Sequence, residues 1–249
     1  MVKMTLAFFK LSLLCLTVLQ LSASENIDYC QLSCDGIPNT ACDRKQLNCG
    51  PGSACGYNVK TIPIDRNNIT NLHNFYRSKV ATGNEKRKRQ PSAANMNAVT
   101  YNTELEHVAQ CWANACTFAH DHCRRIKNYK YVGQNVAILY TTASNVDVKA
   151  VIAGMVKDWY DEVAYFNPAG VNYFTPSSAG HYTQMVWANT KEIGCGMTYY
   201  KKGWNNYLLV CNYGPGGNII GMPMYEIGSP ASRCQRRSRH KNYAGLCLT

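Results

Sequence analysis

The sequence predicts an α+β fold in which helices pack on an antiparallel sheet and disulfides staple the loops. Segments with a three- to four-residue apolar period interleave with β-branched and aromatic runs, without the regular βαβ repeat of a parallel sheet. Cysteine occurs 13 times among 249 residues, far more than a chain kept in a reducing compartment carries. Lys3, the apolar run Leu11–Leu21 and the small residues Ser22-Ala23-Ser24 read as a secretory signal peptide over residues 1–24. That run is too short to span a bilayer and no other segment comes closer, so a secreted, extracellular product with no transmembrane segment is expected.

A hydrophobic fraction of 46% excludes disorder, and 18 Gly with 9 Pro exclude a collagen-like chain. The net charge is +11. Cys15 leaves with the signal peptide, and the remaining even set of cysteines suits complete pairing, although spacing alone assigns no partners.

Residues 25–66 carry Cys30, Cys34, Cys42, Cys49 and Cys55 among turn residues such as Asp35-Gly36, with no apolar period. A loop-rich segment pinned by bridges is expected there; zinc is the alternative for such spacing, but an oxidising compartment favours disulfides. Ile69, Leu72, Phe75, Tyr76 and Val80 mark the apolar face of a first helix. Thr103-Glu104-Leu105-Glu106 reads as a capping box for a second, with Leu105, Val108, Ala109, Trp112 and Cys116 on one side. Ser144-Asn145-Val146-Asp147 opens a third, striped by Val148, Val151, Ile152, Met155, Val156, Trp159 and Val163. A short fourth covers His181–Trp187. Strands are expected at Gln134–Tyr140, Ile193–Tyr200 and Asn206–Tyr213, the last two joined by a turn at Lys201-Lys202-Gly203.

Residues 67–225 form the globular domain in this reading, and 226–249 a basic tail. Two basic clusters stand out: Lys86-Arg87-Lys88-Arg89, and Arg233, Arg236, Arg237, Arg239 and Lys241 in the tail. They are either solvated surface or a means of attraction to anionic glycans, phospholipid or platelet surfaces. Nucleic acid is not an expected partner, because no binding module for it is present. The chain lacks a Gly-x-Ser-x-Gly elbow, a His-Glu-x-x-His helix and a Gly-rich phosphate loop. His120-Asp121-His122 looks like a metal tripeptide, yet such triplets are mostly surface loops. Asn68-Ile69-Thr70 is an N-glycosylation acceptor at the expected start of the first helix, where Asn is also a favoured cap.

Four motifs carry a family resemblance. Gly180-His181-Tyr182-Thr183-Gln184-Met185-Val186-Trp187-Ala188-Asn189-Thr190 and Leu208-Leu209-Val210-Cys211-Asn212-Tyr213-Gly214-Pro215-Gly216-Gly217-Asn218-Ile219 are similar to the two signatures of the CAP superfamily, which takes in cysteine-rich secretory proteins, antigen 5 and plant pathogenesis-related proteins. His73-Asn74-Phe75-Tyr76-Arg77 and Gly133-Gln134-Asn135-Val136 match two shorter motifs. The resemblance runs from about Asp28 to Tyr225, and within the superfamily the chain looks like an insect antigen 5 of venom or saliva. It implies a three-layer α-β-α sandwich with bridges Cys30–Cys42, Cys34–Cys123, Cys49–Cys116 and Cys195–Cys211. Cys55, Cys111, Cys234 and Cys247 depart from the venom-type pattern; Cys234 is expected to pair with Cys247, and Cys55 with Cys111.

The resemblance also implies a cavity of two His and two acids whose His pair can bind a divalent metal, zinc or copper. By motif these are His120, His181 and Glu162, with Gln134 where the first acid stands. Gln removes a charge and any general-base capacity, which weakens a hydrolase reading. The alternative for the His pair is structural hydrogen bonding alone, and His73 belongs to the scaffold. The turn from Gly214 to Asn218 is expected to close the fold. The function expected is that of a non-enzymatic effector, in saliva, venom or haemolymph, that binds a small hydrophobic ligand or a host haemostatic or immune protein. Ile69, Leu72, Phe75, Tyr76, Met155 and Trp159 would wall a lipid groove, or serve only their own core. The other class is a metal-dependent enzyme, a hydrolase or a copper-dependent remover of superoxide. No Arg-Gly-Asp occurs, so adhesion antagonism by that route has no support.

Overall fold

The computed structural model describes residues 27–235 and 238–249; the expected signal peptide and tail residues Arg236 and Arg237 lie outside them. In chain order the elements are α1 (Thr40–Asp43), β1 (Tyr57–Ile62), α2 (Arg66–Ala81), β2 (Thr100–Tyr101), α3 (Thr103–Ala113), β3 (Gly133–Thr141), α4 (Val148–Asp161), α5 (Gly180–Met185), β4 (Glu192–Lys202) and β5 (Trp204–Gly214). The sheet runs β1-β4-β5-β3, antiparallel throughout, and β2 adds a short parallel pairing to β4 at Glu192 and Ile193. The β4–β5 hairpin closes at Gly203, whose φ of +71° suits a residue without a Cβ.

Side chains alternate along the strands and so divide the molecule into three layers. Ile193, Cys195, Met197, Leu209, Cys211 and Tyr213 face one way, into the main core with Ile69, Val156, Trp159 and Tyr182 of α2, α4 and α5. Leu208 and Val210 face the other way, against Ala109 and Ala113 of α3. On that second face a Cβ at Gly194 would lie 2.2 Å from the backbone nitrogen of Glu106, and one at Gly196 would lie 2.4 Å from Cα of Gln110. The two glycines let α3 rest directly on β4. The result is an α-β-α sandwich. No helix among the described residues is long and apolar enough to cross a membrane.

Some local expectations are corrected. β1 lies inside the segment read as loop; it is an edge strand with four exposed and two half-buried side chains and none buried, so no apolar alternation marked it. The cap of α3 is Asn102, whose Oδ1 accepts from the nitrogens of Glu104 and Leu105, not Thr103. Asp65, and not Asn68, caps α2: its Oδ1 accepts the Asn68 N–H at 3.0 Å. Phe75 is 58% exposed, because the buried face of α2 is built on Ile69, His73, Asn74, Arg77 and Val80. Its polar members hid that face from a hydrophobic count.

Six disulfides are present among the described residues. Cys30–Cys42, Cys34–Cys123, Cys195–Cys211 and Cys234–Cys247 are bonded, and Cys195 stands opposite Cys211 in the β4–β5 register. The other two expected pairs, Cys49–Cys116 and Cys55–Cys111, exchange partners: Cys49 bonds Cys111 and Cys55 bonds Cys116. Direction is the reason. Residues 49–55 run beside the end of α3 in the same sense, with Asn114 Nδ2 donating to the Cys49 carbonyl at 2.7 Å and Gly52 N–H donating to the Asn114 carbonyl at 2.8 Å. The nearer cysteine of one segment therefore meets the nearer cysteine of the other.

The tail is fastened to the domain. Ala98 N–H donates to the Cys247 carbonyl at 2.8 Å, Cys247 N–H donates to Met96 at 2.7 Å, and Leu246 is fully buried in the main core.

Candidate functional site

α5 is short, so its placement depends on neighbours. Thr183 Oγ1 donates to Asn218 Oδ1 at 2.7 Å, Asn218 Nδ2 donates to the Gly180 carbonyl at 2.9 Å, and Gly217 N–H donates to Gln184 Oε1 at 2.8 Å. The Gly214–Asn218 turn thus ties one side of α5. Buried Arg77 ties its end, donating to five backbone carbonyls: Asn97, Met185, Trp187, Ala188 and Thr190. Among the described residues no carboxylate pairs with it, and its burial lowers its pKa to about 9. Asn74 completes the set by donating to the Val99 carbonyl at 2.9 Å and accepting the Val99 N–H at 2.8 Å, as a neighbouring strand would.

On this frame His181 is held by Glu162, which follows α4 in a 3₁₀ turn. Glu162 Oε1 accepts the His181 Nδ1–H at 2.6 Å, while Oε2 accepts the His181 and Tyr182 backbone N–H groups at 2.8 and 3.2 Å. His120 is held by Gln134 at the start of β3, across 2.9 Å from Nδ1 to Oε1. Gln134 Nε2 donates to Asp121 Oδ1 at 3.0 Å and to Asn212 Oδ1 at 3.1 Å. Its NH₂ end is committed, so its oxygen must be what accepts the His120 Nδ1–H. Asp121 is itself buried, accepting from Thr40 Oγ1 at 2.5 Å and pairing with Arg124. The next residue of β3, Asn135, donates to the His181 carbonyl at 3.2 Å. One strand start therefore serves both histidines.

Both imidazoles consequently carry their proton on Nδ1 and keep a lone pair on Nε2. That donor set fits a borderline ion such as zinc or copper, with Gln134 and Glu162 as orienting partners. His73 is not part of this set. It is buried, donates from Nδ1 to the Ile69 carbonyl at 2.8 Å and accepts the Tyr213 O–H on Nε2 at 2.9 Å; burial lowers its pKa to about 4.

Sequence reasoning passed over His107. Cys49, His107 and Cys111 bring ligand atoms within 4.8 Å of one another. Cys49 and Cys111 are bonded to each other, so no thiolate is available there. The i,i+4 spacing of His107 and Cys111 was the signal.

The expected lipid wall is also redrawn. Ile69, Met155 and Trp159 are buried in the core, and Phe75 faces solvent. A groove of about 70 Å³ lies between the starts of α2 and α4, lined by Pro63, Ile64, Ile69, Val148 and Ile152 together with the polar residues Asp65, Asn68 and Lys149. Of the expected six residues, Ile69 alone lines that groove. In the first basic cluster, Arg87 is engaged by Glu85 at 2.7 Å and Asp161 at 2.6 Å. Its guanidinium, with Lys79 and the Tyr160 hydroxyl, holds the Glu85 carboxyl well below the usual carboxylate range despite burial.

Fold and site together define a disulfide-stapled α-β-α sandwich that presents two oriented imidazoles beside its sheet. The chain belongs to CAP, the cysteine-rich secretory protein family, whose model matches residues 70–213. It is 43% identical over 220 residues to venom allergen 5.02 of Dolichovespula maculata, a match covering 84% of this chain and 99% of that one. A venom allergen 3 homolog of Dinoponera quadriceps is 43% identical over 211 residues, covering 80% and 90%. Among solved structures, that of NaASP2 with Zn2+ superposes with a TM-score of 0.62 at 30% identity, over 80% of this chain and 99% of that one. Venom allergen-like protein 4 of Schistosoma mansoni gives 0.53 at 32% identity, over 70% and 100%.

Proposed function

We propose that this chain is a secreted effector of the venom or saliva type that works by binding and not by turnover. Its six disulfides and its venom-allergen relatives support the extracellular setting. The observation that carries the non-enzymatic reading is the absence of a disengaged carboxylate at the histidine pair. Gln134 cannot take a proton, and both oxygens of Glu162 already accept hydrogen bonds from His181 and Tyr182. With both Nε2 atoms committed to a metal, neither Gln134 nor the already engaged Glu162 is left as a free base for an attacking water. The Nε2 atoms of His120 and His181 would hold a divalent ion, whose chemistry when bound is Lewis-acid polarisation. A relative 30% identical to this chain has been solved with Zn2+, which supports the reading that the fold accepts a divalent ion.

The ligand class is a small apolar molecule taken into the groove between α2 and α4. Pro63, Ile64, Ile69, Val148 and Ile152 make most of the lining apolar, and Lys149, which shares it with Asp65 and Asn68, offers an ammonium to the carboxylate of a fatty acid. A glycan at the exposed Asn68 would stand at the same groove. Calorimetry with zinc and a fluorescent fatty acid titration test both halves. Wild type is expected to take up one zinc per chain, and the His120→Ala, His181→Ala double variant none. Ile152→Trp, which fills the groove, is expected to lose fatty acid binding while keeping zinc uptake. Equal zinc uptake by wild type and the double variant refutes the metal assignment. Zinc- or copper-dependent hydrolysis or superoxide removal that disappears with the histidines would replace the effector reading by an enzyme.

A further inference from the structure

We propose that the loop between α3 and β3 forms a second binding site, a cationic cavity for the sulfate groups of an extracellular glycan. The sequence has no acidic residue between Asp121 and Asp147, while His122, Arg124, Arg125, Lys127 and Lys130 fall within nine positions. The tripeptide His120-Asp121-His122 divides: His120 turns to Gln134, Asp121 is buried beneath it, and His122 lines a cavity of about 350 Å³ together with Asp35, Arg124, Arg125, Lys130 and Tyr131.

The charges there are unequal. Arg124 is neutralised by Asp121 and donates to the Val132 carbonyl at 3.1 Å. Arg125 and Lys130, with His122 beside them, then face a single carboxylate, Asp35. Arg125 donates from Nη1 to the Ser33 carbonyl at 2.5 Å, which holds its side chain against that wall. A guanidinium prefers a planar or tetrahedral oxyanion as its partner. The Cys34–Cys123 disulfide joins the two walls, so little ordering remains to be done on binding. Tyr131, 53% exposed, offers a ring face at the rim against which a sugar can lie. A concave, polar site with one aromatic suits a glycan better than a membrane, which needs a protruding apolar surface. This site goes beyond the metal and lipid readings, and it draws on the extracellular setting alone for the choice of glycan over other polyanions.

The test uses the full secreted protein and a defined heparin oligosaccharide at physiological salt. Lys130 and His122 are exposed, so the Lys130→Gln, His122→Gln variant should unfold at the wild-type temperature. The expected result is a Kd about tenfold weaker than wild type, with a shallower salt dependence. N-desulfated, O-desulfated heparin should bind wild type as weakly as the intact oligosaccharide binds the variant. An Arg233→Gln, Arg239→Gln tail variant should bind within about twofold of wild type. Unchanged affinity in the loop variant overturns the proposal, as does loss confined to the tail variant. Binding of the loop variant to heparin but not to phosphatidylserine vesicles that hold wild type would also overturn it, in favour of a lipid surface.

Discussion

His73 shows how a single polar side chain in the core contributes to the response of the protein to pH. Its pKa falls from an ordinary 6.5 to about 4 because the charged imidazolium has no solvent, and Arg77 adds repulsion. The native state therefore resists the proton that the unfolded chain accepts. Stability from this residue is complete above about pH 6.5 and drains away as pH falls toward 4, a loss of about 3 kcal/mol across the window. Urea midpoints measured from pH 7 to 4 should show that decline. In His73→Gln, which keeps a donor and an acceptor but cannot titrate, the part of the decline due to His73 should vanish; parallel curves for the two proteins would refute the assignment. Arg77 and Asn74 in the same motif act on backbone groups, so the motif reads as a set of staples and not as chemistry.

The contact of α3 with β4 is decided by two residues that have no side chain. At Gly196 an added Cβ would meet Cα of Gln110 at 2.4 Å, and this neighbour is backbone and cannot swing aside. Gly196→Ala is expected to cost about 3 kcal/mol by forcing helix and sheet apart. Gly154, on α4, has open space where a Cβ would go, so Gly154→Ala should be neutral or slightly stabilising through helix propensity. Denaturation of the two variants under the same conditions checks the contrast. Comparable effects would mean that α3 has room to shift. The same element explains the exchanged disulfides: once residues 49–55 align with the end of α3, the pairing follows their shared direction.

At the scale of the molecule, the C-terminal tail belongs to the domain. Leu246 is fully buried among residues of α2, α4 and α5, whereas Leu248 is half exposed. Leu246→Ala is expected to lower stability by about 3 kcal/mol, and Leu248→Ala by less than about 0.5 kcal/mol. Thermal unfolding separates the two; a tail that merely hangs from its disulfide would make both substitutions silent. A docked tail also changes where charge acts. Arg233 is paired with Glu226 at 3.0 Å, and Arg87 is held by Glu85 and Asp161, so in each basic run at least one charge is already engaged within the domain.

Much of this was written in the sequence. Apolar periodicity placed α2, α3 and α4, and runs of β-branched and aromatic residues placed the three long strands, because both signals depend only on residues close together in the chain. The motifs around His181 and Gln134 singled out the histidine pair and its orienting partners, and an even set of cysteines after Cys15 implied complete bridging. Other features rest on neighbours far apart in the chain, and tertiary structure alone decided them. β1 exists only because β4 offers it an edge. Asp121 turns inward because Thr40 and Arg124 meet its carboxylate there, while the exposed His122 lines the cavity. Gln134 orients His120 through its bonds to Asp121 and Asn212, which fix the direction of an amide that the sequence leaves free to flip. Pattern along the chain records which faces are apolar; which polar atom meets which is settled only when distant segments are brought within hydrogen-bonding distance.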